Sequence, residues 1–300
     1  DTVFDGPALF PDVTGELTYC PRNYYGKYFG VTTLRRALEL SFNASAVKLQ
    51  DMVGGQAVVE TAKAMGISTP LKPYPSLALG TLGVRLIDVV RAYAGFANLG
   101  EVPTPHFISE VRDRDGRSQE RFYPTLERKA SAAASYLLLH VLEGVVDNGT
   151  AQKAKSLDAN LAGKTGTTDD YSDAWFVGSS PRITVVVWLG RDKKAPIGKR
   201  MTGAAAALPI WIRFMESYLE TLDESAREES FPVPAGVVFS AVDWYSGHLV
   251  VPACADQSRI ILEAFLDGTE PQLTCEGDEP GLWELPWPFQ QAYYTPRIGE

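Results

Sequence analysis

The chain has 300 residues, 28 Lys and Arg against 37 Asp and Glu, and a formal net charge of −9. That balance excludes the positive footprint by which a protein grips nucleic-acid phosphates. With 45% hydrophobic and 22% charged residues, the chain is globular in composition. It is long enough for one large domain or two smaller ones that bury roughly three quarters of their unfolded surface. No run reaches the ~18–20 consecutive apolar residues of a membrane span, and the opening DTVFDGPALF lacks the basic-then-apolar order of a signal peptide. Three cysteines and three scattered histidines supply neither a disulfide scaffold nor a metal site.

The first forty residues mix Pro7, Pro11, Gly15, Pro21, Gly26 and Gly30 with Tyr19, Tyr24, Tyr25, Tyr28 and Phe29, which reads as an ordered, aromatic-rich loop. Thr32 or Thr33 then caps a helix through Leu34, Ala37, Leu38 and Leu40 that stops near Ser41. Two more helices are predicted from Ala44 to Met52 and from Val58 to Met65, each ending at glycine. Residues 86–99 form a buried helix ending at Gly100. Ile108 and Val111 with Asp115-Gly116 predict a short hairpin, and 131–146 return to helix. Residues 161–167, 174–178 and 183–189 are three β-like runs joined by Asp169-Asp170 and Ser180-Pro181, the pattern of an antiparallel meander. An amphipathic helix over 203–221 follows. The acidic run DESAREES with Pro232 and Pro234 then marks a boundary, placing one domain at 1–222 and a small β-rich extension at 223–300.

Gly163-Lys-Thr-Gly-Thr-Thr168 invites a phosphate loop, but Asp158 stands where a Walker A motif needs its first glycine. What remains is Lys164-Thr165-Gly166-Thr167 on a strand. Such a strand can dock an extended peptide edge-on, its cation and hydroxyls taking a carboxylate and its glycine allowing close approach. Ser41-Phe42-Asn43 places a hydroxyl and an amide two residues apart at a helix junction, where capping is their ordinary use. Ser45-Ala-Val-Lys48 matches the Ser-x-x-Lys of serine acyltransferases, and on a helix the lysine could take the serine's proton. No Ser-x-Asn or Tyr-x-Asn follows it, however. The register therefore favours Ser41-x-Asn43 as a middle motif over Ser45 as a nucleophile.

The run from Pro21 to Asn43 and Ala46-Val47 resembles the Ser-x-Asn segment of class A penicillin-binding proteins. Ala92-Tyr-Ala-Gly-Phe-Ala-Asn-Leu-Gly100, Asn148-Gly-Thr-Ala151 and Gly163-Lys-Thr-Gly-Thr-Thr168 leading into Asp173-Ala-Trp-Phe-Val-Gly178 carry the same resemblance. So does the spacing of roughly 120 residues between Ser-x-Asn and Lys-Thr-Gly. It covers residues 1–220, with weaker similarity over 263–271. The resemblance implies an α/β fold of the penicillin-binding and serine β-lactamase type, an antiparallel sheet flanked by helices plus a helical region. It also implies D,D-transpeptidation of peptidoglycan stem peptides ending in D-Ala-D-Ala, and acylation by β-lactams. Under that resemblance Ser41 joins the proton relay and Asn43 bonds the donor peptide. Lys164 orients Ser41 and makes the site positive. Thr165 and Thr167 bind the terminal carboxylate, and the Thr167 N–H after Gly166 serves the oxyanion hole. No metal or organic cofactor is implied, nor a nucleic acid.

In the family a nucleophilic Ser-x-x-Lys lies some tens of residues before Ser-x-Asn, and Ser41 is the first serine here. The fold is therefore expected to be N-terminally incomplete. The chain alone is expected to form no acyl-enzyme, and the glycosyltransferase domain and membrane anchor are expected upstream, at the extracytoplasmic face of the inner membrane. The strand ITVVVWL is expected to expose an apolar edge and face where a neighbour is missing. Two other functions share the motifs: a peptidoglycan- or partner-binding module without chemistry, and a hydrolytic carboxypeptidase or β-lactamase relative. Asn148-Gly-Thr-Ala and the aromatic loop favour the synthase family. An exported location permits a Cys254–Cys275 disulfide with Cys20 free. His106, His140 and His248 read as structural. The sequons at Asn43 and Asn148 read as coincidental, and Trp283 and Trp287 as candidates to face a partner.

Overall fold

The computed structural model describes residues 1–12, 14–251 and 260–274. The opening segment is more ordered than a loop. Strand β1 (Thr2–Asp5) pairs antiparallel with β4 (Gly30–Thr33), and the two-residue β2 (Phe10–Pro11) pairs with β3 (Leu17–Tyr19). Local alternation is too short here to announce strands. The β1–β4 pairing is fixed instead by Val3 and Asp5, which turn inward to 7% and 0% exposure. Next come α1 (Leu34–Glu39), α2 (Asn43–Val53) and α3 (Gly55–Ala64). Thr33 caps α1 by accepting the Arg36 N–H at 3.2 Å.

Helix α4 (Leu86–Ala97) leads into four short strands, β5 (Glu101–Pro103), β6 (Glu110–Arg112), β7 (Ser118–Arg121) and β8 (Leu126–Arg128). Strands β6 and β7 form the expected hairpin around Asp115-Gly116, nested between the paired β5 and β8. Helix α5 (Ala132–Asp147), N-capped by Ser131, precedes the meander of β9 (Ala162–Thr167), β10 (Ala174–Ser179) and β11 (Thr184–Leu189). That sheet is antiparallel, in the order β11-β10-β9. The predicted helix over 203–221 opens instead as a π-turn at Gly203–Ala207 before α6 (Leu208–Glu220). Its first turn widens where Gly203 is pressed against the sheet: a Cβ there would lie 2.4 Å from the Trp175 carbonyl oxygen.

The main core lies where α5 and α6 meet the sheet. Leu139, Leu142 and Val145 of α5, and Leu208, Trp211 and Met215 of α6, close over Phe176 of β10. Among the described residues β11 is an edge strand, as expected. Its face is nevertheless not bare, because Val185, Val187 and Leu189 pack on this core while α4 and α6 cover them; only Trp188 is largely exposed. After α6, the acidic run forms the short α7 (Glu224–Arg227). The hairpin of β12 (Val237–Asp243) and β13 (Ile260–Leu266) then packs against α5. His140 of α5 donates from Nε2 to the Leu262 carbonyl at 2.9 Å, a structural bond to this hairpin. Cys254, Cys275, Trp283 and Trp287 lie outside the described residues; Cys20 is a free, half-buried thiol.

Candidate active site

The site forms where α1 ends. The Ser41 N–H donates to the Leu38 carbonyl at 3.1 Å and the Phe42 N–H to the Ala37 carbonyl at 2.8 Å, the paired bonds of a Schellman terminus. The residue at its left-handed position is ordinarily glycine. Here it is Ser41, with φ +57°. A non-glycine residue held there costs on the order of 1–3 kcal/mol, so the hydroxyl is retained against a backbone preference. Its partner is Lys164 of β9, whose Nζ donates to Ser41 Oγ at 2.8 Å and to the Thr165 carbonyl at 3.0 Å. Burial lowers the Lys164 ammonium from 10.5 to about 8, because the charged form loses hydration.

Phe42, 1% exposed, anchors the motif by stacking on Phe29 at 4.4 Å with the rings 5° from parallel. Asn43 opens α2 and donates from Nδ2 to the Arg22 carbonyl at 2.8 Å. The aromatic loop is thus the bed on which Ser41-Phe42-Asn43 lies.

Strand β9 carries the other half of the site and has no strand on its outer side among the described residues. Thr165 Oγ1 shares a 2.9 Å bond with Thr150 Oγ1. Thr167 Oγ1 accepts the Gly203 N–H at 2.9 Å, which leaves its own O–H as a donor for an anion. Gly166 faces inward to its own sheet: a Cβ there would stand 3.2 Å from Trp175 Cβ, and Gly203 sits over its backbone. The glycine therefore serves the seat of the π-turn as well as strand geometry. Lys164, Thr165, Gly166 and Thr167 lie in one strand beside Ser41, while Asn43 is held one residue beyond the buried Phe42.

The Ser-x-x-Lys at 45–48 is occupied otherwise. Ser45 and Lys48 are 2% and 1% exposed. Ser45 Oγ donates to Asp5 Oδ1 at 3.0 Å and Lys48 Nζ donates to the Phe4 carbonyl at 2.8 Å. Asp5 also accepts from Asn23 Nδ2 at 2.7 Å and from the Phe29 N–H at 2.9 Å. Burial nonetheless pushes this carboxyl up, against the pull of those bonds. The group pins β1, the aromatic loop and α2 together beneath the Ser-x-Asn motif. Ser45→Ala is expected to cost about 1–2 kcal/mol by leaving Asp5 one donor short. Equilibrium urea unfolding measures the loss. Sequence reasoning gave no role to Asp5, Thr150 or Gly203. Only Thr150 had a signal, its place in Asn148-Gly-Thr-Ala151.

A family model described as the penicillin binding protein transpeptidase domain matches residues 15–216, and one for the C-terminal domain of penicillin-binding protein 1A matches 233–280. Penicillin-binding protein 1A of Aquifex aeolicus is 40% identical over 257 residues, covering 86% of this chain and 34% of that protein. The same-named protein of Rickettsia bellii is 35% identical over 285 residues, covering 87% and 35%. The chain thus spans about a third of the length of these relatives. Among solved structures, penicillin-binding protein 1A from Haemophilus influenzae superposes with a TM-score of 0.81 at 23% identity, over 91% of this chain and 45% of that one. PonA1 from Mycobacterium tuberculosis in complex with penicillin V gives 0.65 at 24% identity, over 77% and 65%. Fold, motif order and relatives converge: the chain belongs to the penicillin-binding protein transpeptidase family.

Proposed function

We propose that this chain supplies the Ser-x-Asn and Lys-Thr-Gly half of a serine D,D-transpeptidase that cross-links peptidoglycan stem peptides and is acylated by β-lactams. The observation that carries the reading is the 2.8 Å bond from Lys164 Nζ to Ser41 Oγ, made across 123 residues to a serine in a left-handed backbone. In the reaction a nucleophilic serine attacks the penultimate D-Ala carbonyl and expels the terminal D-Ala. The acyl group of the resulting ester then passes to the amine of an acceptor peptide, forming an amide and releasing the serine hydroxyl. Ser41 relays the proton to the departing amine. Lys164, as an ammonium, holds Ser41 oriented and draws the substrate carboxylate, which Thr165 and Thr167 bind through their hydroxyls. The Thr167 N–H, after Gly166, faces the developing oxyanion, and Asn43 contacts the donor peptide's amide. The donor peptide lies along the open edge of β9.

The nucleophile is not Ser45, which is buried and bonded to Asp5, and no other Ser-x-x-Lys occurs in these 300 residues. Residues 1–222 belong to the transpeptidase unit and 223–300 to an extension. The site works on the extracytoplasmic face of the inner membrane. No described helix is itself long and apolar enough to cross a membrane. Fluorescent penicillin followed by peptide mapping tests the assignment. The protein carrying this chain should label on a serine outside these 300 residues, and the 300-residue chain alone should stay unlabelled. A label on Ser41 or Ser45 overturns it.

A further inference from the structure

Helix α1, whose end presents Ser41, is gripped from the far side by the C-terminal hairpin. Arg35 lays its guanidinium bidentately on both carboxylate oxygens of Glu263 in β13, and donates to Glu39 Oε1 at 3.1 Å and the His140 carbonyl at 3.2 Å. Arg36 sits in a box of four rings, 5.6 Å from Phe29, 5.5 Å from Phe42, 5.2 Å from Trp244 and 4.7 Å from Tyr245. Two of these rings belong to the Ser41 site and two to the turn after β12. Trp244 donates from Nε1 to Glu39 Oε2 at 2.7 Å, and its carbonyl accepts the Thr33 hydroxyl at 3.1 Å. Both oxygens of the fully buried Glu39 are thereby used. Gly144 of α5 makes room for them, since a Cβ there would fall 1.9 Å from Oε1.

The grip continues to the second motif. The Glu39 carbonyl accepts the Thr150 N–H at 3.2 Å, and Thr150 Oγ1 bonds Thr165 Oγ1 of β9. A surface-mounted extension would need none of this. Buried ion pairs are weak evidence of stability but strong restraints on geometry, because each group left unpaired is costly. Resting on the function proposed above, we infer that the C-terminal hairpin is a clamp on α1 that sets the left-handed Ser41 terminus against Lys164, with Glu263 and Trp244 as positioning residues for acylation.

Two mild substitutions test this in the protein that carries the chain. Trp244→Phe keeps a ring over Arg36 but removes the donor to Glu39; Glu263→Gln keeps the shape but removes the charge on Arg35. Amide exchange at Ser41 and Phe42 should rise about tenfold in both variants, while that of β10, on the far side of β9, stays within twofold. The penicillin acylation rate constant should fall about tenfold, with affinity for the pre-acylation complex within twofold. Glu263→Asp should restore most of that loss. Unchanged exchange at Ser41 and Phe42, or a uniform rise across the sheet, overturns the clamp. Local exchange that rises while acylation holds overturns its role in catalysis. A wild-type protein that takes no penicillin overturns the transpeptidase reading and, with it, the catalytic half of this inference; the exchange result still decides the mechanical half.

Discussion

Lys164→Ala lowers penicillin acylation of the protein that carries this chain by about 10²–10³-fold, the range set by losing a positioned proton-relay and charge-stabilising group. Two losses act together: Ser41 Oγ gives up the donor that fixes it at 2.8 Å, and, on the proposed function, the substrate carboxylate gives up its cation. The pH dependence separates this role from a structural one. The unfolded lysine keeps its proton to about 10.5, the folded one only to about 8. Between these values the unfolded chain binds more protons, so stability contributed by Lys164 rises with pH across the window. Acylation moves the other way, falling above about pH 8 as the ammonium is lost. Stopped-flow acylation and urea unfolding from pH 6.5 to pH 10 should therefore diverge. Parallel curves, or a Lys164→Ala variant still within fivefold of wild type, would show that the amine is not the working group.

Trp211→Ala is expected to destabilise the fold by about 3–5 kcal/mol, the usual loss for a fully buried aromatic cut to a methyl. The ring is 0% exposed and meets Phe176 edge-on at 5.0 Å. It lies so close over Gly178 that a Cβ there would stand 2.6 Å from it. Gly178 has no side chain to swing into the gap, and the Val185 carbonyl loses the indole N–H that meets it at 3.2 Å. Both features argue against collapse of the cavity. Equilibrium urea unfolding measures the loss, with Trp211→Phe expected to recover part of it; a loss under 1.5 kcal/mol would mean that α6 repacks on the sheet.

Much of the sheet was legible from sequence because β10 and β11 are rich in β-branched and aromatic residues between short turns, a signal that survives without any distant information. The helices of the Ser-x-Asn region were legible for the same local reason, their caps and apolar spacing. Short strands such as β1 and β4 were not. Their pairing is set by residues about thirty apart, and Asp5, which organises them, looks from the sequence like any surface carboxylate. The π-turn at Gly203 leaves no mark on the apolar pattern that predicts a helix over 203–221, because only the sheet beneath forces the wider turn. Lys164 was found as part of a motif, but the groups that hold Ser41 in place were invisible. Arg35 and Glu263 are 228 positions apart, and a charged pair at that distance leaves no periodic trace in the chain.

A glycine at position 41 would suit the left-handed backbone better than serine and would make the domain more robust. It would also delete the hydroxyl that Lys164 holds. On the proposed function, stability and chemistry are set against each other at a single atom, Oγ of Ser41.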